Sequence, residues 1–171
     1  ESNIIKQQIS SIDLELLIKN NYTHCWNYFL KFQIRMLTTF KGKFFGDYET
    51  VQIWAMIVYN QNLSLNKKIK NTSKYPGSVK EDYLNEILSL TDNLGLNAMT
   101  ISDLTGIPRP TVIRKLNFLV KNKFVVKNKS NLYVLADSKE IKEVDKYRIE
   151  NVNAISEMSC KLFNAARIYK N

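Results

Sequence analysis

Apolar positions along this chain recur mostly at helical spacing. Ile12, Leu16, Tyr22, Cys25, Trp26, Phe29, Leu30, Leu37 and Phe40 form one such stripe. It predicts a long helix from about 12 to 41, loosened at Asn20-Asn21 and stopped by Gly42. Residues 1–11 are expected to be loosely ordered. Phe44-Phe45-Gly46 reads as a connector, with Asp47 as cap for a helix of about 48 to 60. Val51, Ile53, Trp54, Ala55, Met56, Ile57 and Val58 make that helix apolar nearly all round, which predicts central burial or a subunit interface. Asn60 to Gly77, with four lysines among asparagines and serines, reads as a loop.

The second half is more sharply punctuated. Ser78-Val79-Lys80-Glu81 is a capping box after Pro76-Gly77. Val79, Tyr83, Ile87, Leu90 and Leu94 continue it as a helix closed by Gly95, expected to pack beneath the two that follow. A short helix should begin at Thr100, with Thr100 as its cap and Asp103 in its first turn, and end at Gly106, where a turn needs positive φ. Pro108 and Pro110 sit at the start of the next helix, about 109–122, whose inner stripe is Val112, Leu116 and Leu119. Two strand-like runs, Phe124–Val126 and Leu132–Leu135, flank a polar tip at 127–131. Asp137-Ser138-Lys139-Glu140 then opens a helix reaching about residue 169, with Ile141, Val144, Val152, Ile155, Leu162, Ala166 and Tyr169 as its stripe.

Charge gives this layout a sign. The net charge is +9, yet residues 100–135 carry seven Lys/Arg against one Asp/Glu, while residues 1–99 carry eleven against nine. Asn, Lys and Ile are abundant throughout, but that bias does not explain the near absence of acids from one segment. The basic segment therefore reads as a phosphate-facing surface.

Helix, glycine turn, helix and basic hairpin is the order of a winged helix-turn-helix. Ser102-Asp103-Leu104-Thr105-Gly106-Ile107-Pro108-Arg109-Pro110-Thr111-Val112-Ile113-Arg114-Lys115-Leu116 resembles the helix-turn-helix of the IclR family, with its T-G-[LI]-P-R-x-T-V-x-R run. Its placement between long helices is more similar to the MarR family. The chain departs from both. It has a short segment after the hairpin where IclR proteins carry a large effector domain, and a helix near 48–60 that MarR proteins usually lack.

The resemblance implies a mainly α fold, with a two-stranded β wing and long N- and C-terminal helices forming a dimerisation module. On that layout residues 1–77 are an N-terminal helical dimerisation and effector region, 78–136 the winged DNA-binding domain, and 137–171 a C-terminal dimerisation helix. The expected protein is a cytoplasmic, bacterial-type transcriptional regulator acting as a homodimer on double-stranded DNA. MarR-like regulators can hold a small-molecule effector between their modules; Trp26, Phe29 and Trp54 are the candidate pocket residues.

At 100° per residue, the face opposite the inner stripe holds Pro110, Thr111, Arg114, Lys121 and, at its edge, Lys115. Arg114 suits a bidentate contact to guanine, and Thr111 a phosphate or a thymine methyl. Arg109 at the helix mouth fits a phosphate or minor-groove contact. Lys127, Asn128 and Lys129 on the wing fit backbone or minor groove, and Thr100 with nearby amides can take a phosphate. Phe118 projects outward with no obvious DNA role and is expected to pack on another helix.

Other classes find less support. Cys25 and Cys160 lie far apart without a CxxC partner, so neither a zinc site nor a disulfide framework is expected. His24 and Cys25 point about 100° apart on a helix and read as packing residues. No Gly-rich phosphate loop, HExxH motif or paired carboxylates suggest an enzyme or a cofactor. No apolar run approaches 18 residues and no signal-peptide pattern precedes the first helix, so no membrane partner is expected. The rival readings are a replication or partition initiator of winged-helix type, and a winged domain serving as a protein-interaction module.

Overall fold

The computed structural model describes residues 10–70, 80–89 and 94–168. It is mainly helical, with one two-stranded antiparallel sheet. The helices are α1 (Ser11–Asn20), α2 (Tyr22–Phe40), α3 (Tyr48–Lys70), α4 (Lys80–Leu88), α5 (Ala98–Thr105), α6 (Arg109–Lys121) and α7 (Lys139–Ile168), and the strands are β1 (Val125–Lys127) and β2 (Tyr133–Leu135). The chain divides into two compact units, residues 37–148 and a helical unit made of residues 1–36 with 149–171.

The long stripe breaks into two helices where it is expected to loosen, at Asn20-Asn21. Ser10 caps α1 by accepting the Asp13 amide at 3.1 Å, and the helix ends at Asn21, whose φ of −124° leaves helical space. The Asn21 side-chain amide also donates to the Leu17 carbonyl at 3.3 Å, beside the Asn21 backbone amide at 3.1 Å. Among the described residues of the helical unit only Cys25 and Ala154 are buried. Tyr22, Trp26 and Phe29 stack in a row, with centroids 5.7 and 5.2 Å apart, on an exposed face.

In the other unit the core sits around α3. The helical path from α2 does not stop at Gly42. It continues as a π-helical turn, Lys41–Phe45, and stops at Gly46, where φ is +76° and the amide donates to the Lys41 carbonyl at 2.8 Å. Phe45, expected in a connector, is 1% exposed and packs with Phe40, Trp54 and Phe124. Asp47 caps α3 as its sequence suggests, its carboxylate accepting the Thr50 amide at 2.9 Å and the Thr50 hydroxyl at 2.8 Å.

Helix α3 runs ten residues beyond the expected Asn60, to Lys70. The reason is a buried row at spacing four, Ile53, Ile57, Gln61 and Leu65, which a polar glutamine interrupts only in sequence. Fully buried Gln61 donates to the Ile87 carbonyl of α4 at 3.2 Å and accepts the Leu135 amide of β2 at 2.9 Å. The helix beneath α5 and α6 is therefore α3, not the one following the capping box; α4 packs on α3. The capping box itself and Leu90 fall mostly or wholly outside the described residues, as do residues 1–9, Gly77 and Tyr169.

Gly95 does not close α4 but lets the chain pass against β2. A Cβ there would lie 2.7 Å from Leu132 Cβ and 3.0 Å from the Tyr133 carbonyl. The next residue, Leu96, pairs with Tyr133, adding a one-residue bridge to the β1–β2 ladder. Ser138 begins α7 by accepting the Ile141 amide, while its hydroxyl donates to the Lys123 carbonyl at 2.7 Å. Ile141 and Val144 of α7 are buried in this unit.

Candidate nucleic-acid interface

The α5–α6 pair is fixed by its turn. Helix α5 begins at Ala98 rather than Thr100, and its cap is Asn97, whose side chain accepts the Thr100 amide at 2.9 Å and the Thr100 hydroxyl at 3.2 Å. That corrects two expectations. Thr100 is half-buried and committed to Asn97 instead of being free for phosphate, and Asp103 falls in the last turn. Asn outranks Thr as a cap, which explains the shift. Gly106 ends the helix in the left-handed region at φ +72°, its amide donating to the Ser102 carbonyl. Ser102 and Thr105 hydroxyls bond the Ile107 and Ile101 carbonyls, tying down the turn.

Pro108 caps α6 with no side-chain bond, and Pro110 lies in the first turn, where its missing amide hydrogen costs nothing. Val112, Leu116 and Leu119 are fully buried, so the rest of the helix is turned outward as the projection requires. Arg109, Pro110, Arg114 and Lys121 are exposed, and Thr111 is half-buried. Ile113 and Val120 flank the stripe, and Phe118 is 39% exposed.

Lys115 departs most from the projection. Its side chain is only 14% exposed, and its ammonium lies 2.6 Å from an Asp47 oxygen and 3.9 Å from Glu49. The first turn of α3 lies along that flank of α6 and takes the lysine out of the outward set. Burial pushes the Asp47 carboxyl up, but hydrogen bonds from Lys115 and from the Thr50 amide and hydroxyl outweigh it and hold the group below its ordinary value.

The hairpin pairs Val125 with Leu135, Val126 with Val134 and Lys127 with Tyr133. Lys127 and Lys129 are exposed, with the Lys127 ammonium 5.1 Å from the Tyr133 ring centre. Asn128, expected as a DNA contact, works inside the loop. Its carbonyl oxygen accepts the Ser130 and Leu132 amides at 3.0 Å, and its amide nitrogen donates to the Leu94 carbonyl at 3.1 Å. Asn131 carries the positive φ of the tip, +59°.

Sequence reasoning missed Lys123, an exposed cation at φ +60° just past α6. Left-handed positions favour Gly or Asn, so Asn122 draws the eye one residue early. The exposed cations of this region are thus Arg109, Arg114, Lys121, Lys123, Lys127 and Lys129, in a stretch whose one acid, Asp103, is also exposed.

The candidate pocket residues fall in different compact units. Trp26 and Phe29 stack on each other in the helical unit, whereas Trp54 joins the Phe40–Phe45 cluster of the other unit. A cavity of about 20 Å³ in the helical unit, bordered by Tyr28, Phe32, Arg35, Ala154 and Met158, includes none of the three. His24 bonds Tyr28 at 3.0 Å, and buried Cys25 has its thiol pKa raised by desolvation. Among the described residues no group of three or more His, Cys, Asp or Glu could hold a metal ion, and no helix is long and apolar enough to cross a membrane. Comparison of the chain with protein-family models, curated proteins and solved structures gives no match.

Proposed function

We propose that this chain is a winged helix-turn-helix protein that binds double-stranded DNA sequence-specifically, as a homodimeric transcriptional regulator. One observation carries the reading. Full burial of Val112, Leu116 and Leu119 turns Arg109, Arg114 and Lys121 to solvent on α6, in the most basic stretch of the chain. A helix so disposed can enter a major groove, with Arg114 at the base edges and Lys129 on the hairpin against phosphate.

The homodimer rests on the helical unit. Ile12, Leu16, Tyr22, Trp26, Phe29, Leu30 and Ile34 are 38–76% exposed. Seven side chains of this size present several hundred Å², against about 800 Å² per partner in a specific interface. A unit with two buried side chains among its described residues and such a face is suited to a second copy of itself.

The test is duplex binding across a salt series. Arg114→Ala should flatten the preference between a duplex selected by the wild-type chain and a random one. Lys129→Ala should weaken both alike and reduce the salt slope by roughly 0.9. If both variants behave as wild type on both duplexes, the interface assignment is wrong.

A further inference from the structure

Helix α6 is held against α3 by two kinds of contact that do different things. Val112, Leu116 and Leu119 set which face of the helix is inward, but apolar burial is non-directional and adds no bond that opposes small rotations about the helix axis. No side chain caps its first turn. The directional contact is Lys115, mostly buried, whose ammonium donates to Asp47 at 2.6 Å with Glu49 at 3.9 Å. Asp47 is itself fixed, because the same carboxylate caps α3 through Thr50, which is 1% exposed. The rotation of α6 is therefore referenced to the first turn of the central helix. Arg114 precedes Lys115 by one residue, and a rotation of roughly 10–20° is enough to take a positioned group out of working geometry.

We infer that Lys115 is a positioning residue, which sets the angle at which Arg114 and Thr111 meet base edges through its ion pair with Asp47, without touching DNA itself. The inference rests on the duplex-binding reading above.

The experiment measures affinity for a duplex selected by the wild-type chain from a random-sequence library, and for random duplex, at several salt concentrations. Lys115→Met should lower the selected-to-random ratio by about tenfold, since one good base contact is worth roughly 5- to 150-fold, while the salt slope stays unchanged. Lys115→Arg, which keeps a cation in reach of Asp47, should restore most of the ratio. Asp47→Asn keeps an α3 cap and so a folded chain, and should lower the ratio in the same direction. A slope reduced by about 0.9 in Lys115→Met, with the ratio intact, would make Lys115 a phosphate contact and overturn the inference. So would Asp47→Asn tightening binding to both duplexes equally, the result for an acid that merely repels DNA. Wild-type ratios in both variants overturn it too. A wild-type chain without salt-dependent duplex binding removes the DNA reading, and this inference with it.

Discussion

Gln61 is the point at which a single substitution should cost most for its size. Its amide is fully buried and spans three elements, donating to the Ile87 carbonyl of α4 and accepting the Leu135 amide of β2. Ile87 is 0% and Leu135 3% exposed, so water cannot readily replace the lost partner at either group. Gln61→Leu keeps the approximate volume and removes both bonds. Each buried group left unsatisfied costs about 1–3 kcal/mol, and the gain from burying an apolar side chain offsets part of that, so a net loss of about 3 kcal/mol is expected. With a urea m-value of about 2 kcal/mol/M, the midpoint should fall by roughly 1–2 M at unchanged slope, followed by circular dichroism of the helices. Gln61→Ala should fall further, because it adds a cavity to the same two losses. A Gln61→Leu unfolding free energy within about 0.5 kcal/mol of wild type would refute the claim that this side chain joins α3 to α4 and the sheet.

Other outcomes follow from local geometry. Gly95→Ala forces a Cβ to 2.7 Å from Leu132 and should cost about 1–3 kcal/mol, read as a lowered melting temperature; an unchanged one would mean the hairpin moves freely away. Because the Asp47 carboxyl is held below its ordinary value, its bonds stabilise the fold fully above the unfolded-state pKa of about 3.9 and lose that effect as pH falls through the lower folded value. Asp47→Asn should accordingly show a shallower decline in urea midpoint below about pH 4 than wild type. If the proposed homodimer forms through the stacked row on α2, Trp26→Glu places a charge amid it and should turn a dimeric wild type into monomers in sedimentation velocity; a variant that still dimerises would refute that interface.

Much of the stretch from Gly106 to Leu135 was legible because its signals are local. Gly106 announced a left-handed turn, two prolines marked a helix start, and Val112, Leu116 and Leu119 lay at spacing that geometry makes inward. What escaped notice depends on distant partners. Lys115 belongs to the outward edge by projection alone; only Asp47, 68 residues earlier, draws it in. The length of α3 was hidden because Gln61 is polar in sequence and core in space, its bonding groups supplied by α4 and β2. Asn128 looked like a surface contact for the same reason, since its partner Leu94 lies 34 residues back. Thr100 was a miss of a different kind, a weaker cap preferred to the stronger Asn97 three residues upstream.

The hairpin has one more property, which concerns the chain at high concentration. Among the described residues β1 pairs with β2 on one side only, leaving its other edge open. Val126 on that strand is 44% exposed, the combination that invites edge-to-edge pairing between molecules. The strand is three residues long and ends in Lys127, with Lys129 close behind, so any approaching edge of the same kind meets like charge. The lysines that suit a phosphate backbone thus also guard against aggregation. Neutralising both would put solubility at risk, whatever its effect on the proposed DNA binding.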